Sequence, residues 1–130
     1  MLKGTKVQIG SLHPIRDFTY VSDTVEGFIK AAETDGINGK VINLGSNQGI
    51  SIGDLTSTLA KIMEKEVTIE CEEERVRPAH SEVNRLICDN QKAQQLIGWQ
   101  PMVHLEEGLT KTIEWFKKTK QAYKSDLYNI

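Results

Sequence analysis

The stretch Arg16-Asp17-Phe18-Thr19-Tyr20-Val21-Ser22-Asp23 sets the frame of the chain. Phe18, Thr19, Tyr20 and Val21 favour an extended backbone, and Ser22 and Asp23 are residue types that accept the free amide hydrogens at the start of a helix. This predicts a short strand delivered straight into a helix, with Glu26 three residues after Asp23 as in a capping box. Val25, Phe28, Ile29 and Ala32 then share one helical stripe, and Asp35-Gly36-Ile37-Asn38-Gly39 ends the helix near Thr34. Arg16 stands at the entry to the strand, where a rigid backbone can present a guanidinium group to an anion.

Upstream, Lys6-Val7-Gln8-Ile9-Gly10 alternates as a short strand and Ser11-Leu12-His13-Pro14 breaks it, so the two extended pieces are expected to form a small antiparallel pair. Downstream, Lys40–Gly45 reads as an apolar strand running into the polar turn Ser46-Asn47-Gln48-Gly49. Ser51 follows as a helix cap with Asp54 three residues on, and Ile52, Leu55, Leu59, Ile62 and Met63 repeat at helical spacing. Glu66–Cys71 alternates again, and the acidic run Glu72-Glu73-Glu74 reads as a solvated loop. After the apolar Leu86-Ile87-Cys88, Asp89 is expected to cap a short helix through Ala93, Leu96 and Ile97, with Gly98 as its stop. The last periodic segment begins near Leu105 and aligns Leu109, Ile113 and Phe116. Glu106 and Glu107 in its first turn and Lys117, Lys118 and Lys120 near its end complement the helix dipole. The tail from Tyr123 to Ile130 is expected to fray unless Tyr123, Leu127 and Tyr128 find a neighbour.

At 130 residues and a net charge of −2, the chain has the size of one domain and carries no broad basic field for nucleic acid. No apolar run is long enough to cross a bilayer, and Met1-Leu2-Lys3-Gly4 lacks the apolar segment of a secretory signal, so a cytoplasmic protein without a membrane partner is expected. Cys71 and Cys88 lack the spacing of a zinc site or a redox pair and are expected to be buried thiols. His13, His80 and His104 make no metal motif. Trp99 and Trp115 are expected to cover apolar surface rather than to stack bases.

The chemical signal lies in the arginines. Arg77 precedes Pro78 in Arg75-Val76-Arg77-Pro78, and the proline both restrains the loop and biases Arg77 toward an extended backbone. Arg16 either pairs with a carboxylate such as Asp17 or Asp23 or binds a phosphate; with Arg77 it would neutralise a diphosphate. Ser51 is explained by its cap and is the weaker candidate. Gly45-Ser46-Asn47-Gln48-Gly49 is neither a Gly-x-Gly-x-x-Gly fingerprint nor a phosphate loop ending in Lys-Ser/Thr.

Arg16–Val21, Val41–Gly45, Arg77-Pro78, Ser81-Glu82-Val83, Asp89–Ala93, and Gly98-Trp99-x-Pro101 followed by Leu105-Glu106-Glu107-Gly108-Leu109 together resemble the C-terminal substrate-binding part of extended short-chain dehydrogenases/reductases. Within them the resemblance is to NAD-dependent nucleotide-sugar epimerases and 4,6-dehydratases. Leu12–Asp17 and Ser81–Leu86 favour the UDP-N-acetylglucosamine 4,6-dehydratase branch. The resemblance implies an α/β fold of short strands with about four helices, Arg16 and Arg77 facing a UDP-linked diphosphate, and Ser51 near the nucleotide end of the pocket. It also implies a parent enzyme with a Rossmann domain, NAD and a Tyr-x-x-x-Lys pair. Thr24 and Leu127 stand at the lysine position after Tyr20 and Tyr123, and no cofactor fingerprint is present. The chain is therefore expected to be a C-terminal fragment that holds no cofactor, lacks catalytic residues, is inactive alone and is prone to self-association. A 4-epimerase parent, or a non-catalytic protein-interaction module, is the alternative.

Overall fold

The computed structural model describes residues 5–71 and 83–119. The expectations placed on Glu72–Glu74, Arg75, Arg77, His80, Ser81-Glu82, Lys120, Tyr123, Leu127 and Tyr128 lie outside them. Two small sheets organise what is described. Strand β1 (Lys6–Ile9) pairs in parallel with β4 (Thr68–Cys71), Val7 opposite Ile69. Strand β2 (Ile15–Arg16) lies between β3 (Ile50–Ser51), antiparallel to it, and β5 (Arg85–Leu86), parallel to it. The expected antiparallel pairing of β1 with the element after Pro14 does not form. Pro14 turns the chain away, and its carbonyl instead accepts the amide of Ile52 (3.1 Å).

Four helices are present among the described residues: α1 (Val21–Glu33), α2 (Ile52–Ile62), α3 (Gln91–Ile97) and α4 (Leu105–Lys118). The α/β class and the helix count are as expected. Local signals explain much of this. The Ser51 hydroxyl accepts the Asp54 amide (3.0 Å) and donates to the Asp54 carboxylate (2.6 Å), a reciprocal cap for α2. Gly98, at φ 60°, stops α3, with its own amide on the Gln94 carbonyl and the Trp99 amide on the Ala93 carbonyl. Asp89 accepts the Gln91 amide (2.9 Å), so it does tie down the start of α3. In α4, Glu106 and Glu107 occupy the first turn and Lys117 and Lys118 the last.

The decisive stretch folds differently from its local reading. Pairing stops at Arg16, so Phe18–Val21 is not a strand, and α1 begins at Val21 with Tyr20 at the cap position and no side-chain cap. The Tyr20 carbonyl accepts the amides of Asp23 (3.1 Å) and Thr24 (3.3 Å). Ser22 and Asp23 therefore sit inside the first turn. The Asp23 carboxylate, buried at 5% exposure, receives the backbone amides of Met102 (3.0 Å) and Val103 (2.9 Å) instead. Two long-range charge-assisted bonds outweigh one local cap. Lys40–Gly45 is likewise not part of a ladder among the described residues.

The core lies between α1 and α3. Ala93, Ile97 and Trp99 are buried, Trp99 to 1% exposure, with Ala31, Ile37, Ile42 and Leu44 packed around them. The Trp99 indole N–H donates to the Asp23 carbonyl (2.8 Å), which satisfies the one polar atom of the ring. Gly27 faces this cluster, because a β-carbon there would lie 2.5 Å from Leu44 Cδ1. The apolar α1 stripe points the other way: Val25, Phe28, Ile29 and Ala32 are exposed. Trp115 is half-exposed against Phe116 (5.1 Å, edge to face), and Ile113 is the buried residue of its face. Neither cysteine is a core thiol: Cys71 is exposed at the end of β4 and Cys88 is half-buried.

Candidate functional site

Three backbone segments converge beside β2. Arg16 ends the strand, paired with Ile50 on one side and Leu86 on the other, and its guanidinium Nη1 donates to the carbonyls of Val83 (2.7 Å) and Ile15 (2.9 Å). A cleft of about 660 Å³ opens next to it, lined by Arg16, Asp17, Thr24, Phe28, Asn43 and Leu86 among others. A second cavity, about 280 Å³, is lined by Phe18, Ser46, Gln48 and His104 among others. Asn43, Leu44 and Gly45 wall the first and Ser46, Gln48, Gly49 and Ile50 the second, and the first contains Arg16.

Asp17 is the residue that builds this wall. One of its carboxylate oxygens accepts the Ser46 amide (2.9 Å) and the Ser46 hydroxyl; the other accepts the amides of Asn47 (2.9 Å) and Cys88 (3.2 Å). Asn47 adopts φ 60°, which turns consecutive amides inward to form an anion-binding concavity. The Ser46 hydroxyl in turn accepts the Gln48 amide (3.2 Å). Gly45 makes the approach possible, since a β-carbon there would fall 2.2 Å from Cys88 Cβ and 3.0 Å from the Asp17 carboxylate. The Asn90 side chain closes the junction by donating to the Gly45 carbonyl (2.8 Å).

These contacts decide the chemistry of the Gly45–Gly49 loop. Its amides at Ser46, Asn47 and Gln48 are engaged within the protein, and Gly49 faces Ile15 and Ile87. The loop therefore does not fit the pyrophosphate of a dinucleotide. No group of three or more His, Cys, Asp or Glu that could hold a metal ion occurs among the described residues, and no described helix is long and apolar enough to cross a membrane.

Of the residues picked out from sequence, Arg16 lines the cleft, Ser51 stands across the β2–β3 ladder opposite Ile15 with its hydroxyl in the α2 cap, and Arg77 is outside the described residues. The Val83 carbonyl that holds Arg16 is six positions after Arg77 in the sequence. Sequence reasoning passed over Asp17 and Asn90. The available signal was the adjacency of Asp17 to Arg16 together with a Gly-Ser-Asn turn that needs an anion for its amides. Cys88, against Gly45 and the Asp17 carboxylate, has its thiol pKa raised above the ordinary 9.0 by burial first and then by the charges of Asp17 and Asp89.

Similarity to known proteins agrees with this geometry. The UDP-glucose 4-epimerase of Mycolicibacterium smegmatis is 32% identical over 122 residues, 93% of this chain and 37% of its own. The dTDP-D-glucose 4,6-dehydratase of Mus musculus is 34% identical over 116 residues, 85% of this chain and 31% of its own. The solved structure of UDP-glucuronic acid 4-epimerase from Bacillus cereus, in complex with UDP-glucuronic acid and NAD, superposes with a TM-score of 0.80 at 32% identity, covering 91% of this chain and 37% of that one. This chain spans about a third of the length of such relatives. Epimerases are at least as prominent among them as dehydratases, and nothing singles out the UDP-N-acetylglucosamine 4,6-dehydratase branch. The GDP-mannose 4,6 dehydratase family matches residues 1–112, and with that match and the shared fold the chain belongs to this family of extended short-chain dehydrogenases/reductases, corresponding to their C-terminal substrate-binding portion.

Proposed function

We propose that the chain binds the diphosphate of a UDP-linked sugar, as the substrate-binding portion of an NAD-dependent nucleotide-sugar 4-epimerase. The observation that carries this reading is Arg16, a guanidinium anchored by backbone carbonyls at the edge of the larger cleft. Anchoring reduces the side-chain freedom lost when an anion binds, and the planar fork suits phosphate oxygens. Arg77 is the second cation of the proposed pair, and Ser51 a lesser contact whose hydroxyl already serves the α2 cap. In this reading the remote binding energy of the nucleotide aligns the sugar over a cofactor carried by a Rossmann domain, and the chain alone turns over no nucleotide sugar. A 4,6-dehydratase parent is the second reading, favoured by the matching family and by the mouse relative; UDP-N-acetylglucosamine is its candidate substrate.

Calorimetric titration of UDP-glucose, UDP-N-acetylglucosamine and dTDP-glucose into the chain, and into the chain supplied with an N-terminal half from a relative, tests this. Arg16→Ala and Arg77→Ala should each weaken UDP-sugar binding by about 1.5–3 kcal/mol, roughly ten- to a hundredfold in Kd. NAD binding by the completed protein should be little affected. Unchanged UDP-sugar affinity in both folded variants would remove the diphosphate assignment.

A further inference from the structure

We propose that Asp17 is a positioning residue for Arg16: an internal anion that pins three chain segments together and thereby fixes where the guanidinium points. The functional half of this rests on the Arg16 reading above. Asp17 follows the last residue of β2, and its carboxylate takes four hydrogen bonds, three from backbone amides and one from a hydroxyl. That number fills the acceptor sites of a carboxylate. The donors come from the loop after Leu44 and from the segment after β5, so one side chain joins β2 to both. Arg16 is consequently held by its ladder with Ile50, by its ladder with Leu86, and through its neighbour's carboxylate. The segment that leads into β5 also supplies the Val83 carbonyl on which the guanidinium rests. Releasing Asp17 frees the loop and the segment beyond β5 together, and the arginine loses its fixed direction.

The anion in the loop's concavity is supplied by the protein itself. A neutral amide of the same shape cannot replace it, because Asn presents N–H groups toward at least one of the amides that Asp17 now accepts. Asp17→Asn should leave the α1–α3 core and α4 intact, since neither depends on this carboxylate.

The test uses the whole chain, with inorganic pyrophosphate as the probe. Hydrogen exchange followed by NMR should show the Ser46, Asn47 and Cys88 amides losing protection by about tenfold or more in Asp17→Asn, with Ile113 and Ile97 unchanged. The Arg16 Nε–H signal should shift toward that of a free arginine, and pyrophosphate affinity should fall by about tenfold while the arginine is still present. Unchanged protection at the three amides would overturn the clamp. Lost protection with an unmoved Arg16 signal would overturn positioning and leave Asp17 as scaffold alone. Should the wild-type chain bind no pyrophosphate, or Arg16→Ala bind it equally well, the diphosphate reading fails, while the amide and Arg16 signals still decide the role of Asp17. Ser46→Ala, which removes the hydroxyl's bonds to Asp17 and Gln48 but keeps the three amide bonds to the carboxylate, provides a milder lesion if Asp17→Asn does not fold, and should shift the same signals in the same direction by a smaller amount.

Discussion

Two aspartates in one short stretch each serve as an anion for distant backbone amides. Asp17 gathers Ser46, Asn47 and Cys88, and Asp23 gathers Met102 and Val103. The charge of Asp17 also reaches Cys88, whose thiol is pushed above its usual range by burial first and by Asp17 and Asp89 after it. The unfolded chain then loses the Cys88 proton at lower pH than the folded protein does. Stability from this group is fully present below the unfolded value and is lost as pH rises through the folded value. Urea unfolding between about pH 8 and about pH 10 should show a falling stability whose slope becomes shallower in Cys88→Ala. An identical slope in the variant would assign the alkaline loss to other groups. Neither aspartate role was legible in the sequence, because each depends on partners 29 to 80 residues away, whereas the Asp23 cap suggested by its neighbours was a local expectation that a stronger distant demand displaced.

At the scale of elements, what was legible was what local chemistry decides. Ser51 with Asp54, Gly98 after Ile97, and the charge gradient of α4 all placed helix ends correctly. The period of α1 was also right, but period does not say which way a stripe faces; Gly27, which contributes no side chain, marks the packed side through its fit against Leu44 and Trp99. Strands of two residues carry too little pattern to be found, and β2, β3 and β5 exist because of pairing across long sequence separations. The Ser51 cap can be separated from a ligand role. Ser51→Ala should cost about 1 kcal/mol of stability through loss of the α2 cap, seen as a lower Tm. Its UDP-sugar affinity, measured well below that Tm, should change far less than in Arg16→Ala. A large loss of affinity with an unchanged Tm would make Ser51 a ligand contact first and a cap second.

At the scale of the whole molecule, the described residues carry more apolar surface than their core uses. Along α1, Val21, Val25, Phe28 and Ile29 follow helical spacing and all face outward, Phe28 with 69% of its surface exposed. A continuous exposed stripe of this kind marks an interaction face. The relatives are about two and a half times as long as this chain. For this chain on its own, the expected occupant is a second copy, because hydrophobic burial is non-directional and a two-fold axis would set the same stripe of each copy against the other. Sedimentation velocity over a concentration series should therefore show association that weakens in Phe28→Glu. The substitution should change unfolding stability by no more than about 0.5 kcal/mol, since an exposed side chain gives up little packing. Supplying a compatible N-terminal half should suppress the self-association of the wild-type chain by occupying the same face. Association that persists undiminished in a folded Phe28→Glu variant would place the contact elsewhere. A wild-type chain that stays monomeric at every concentration would show that the stripe is tolerated in water without self-association.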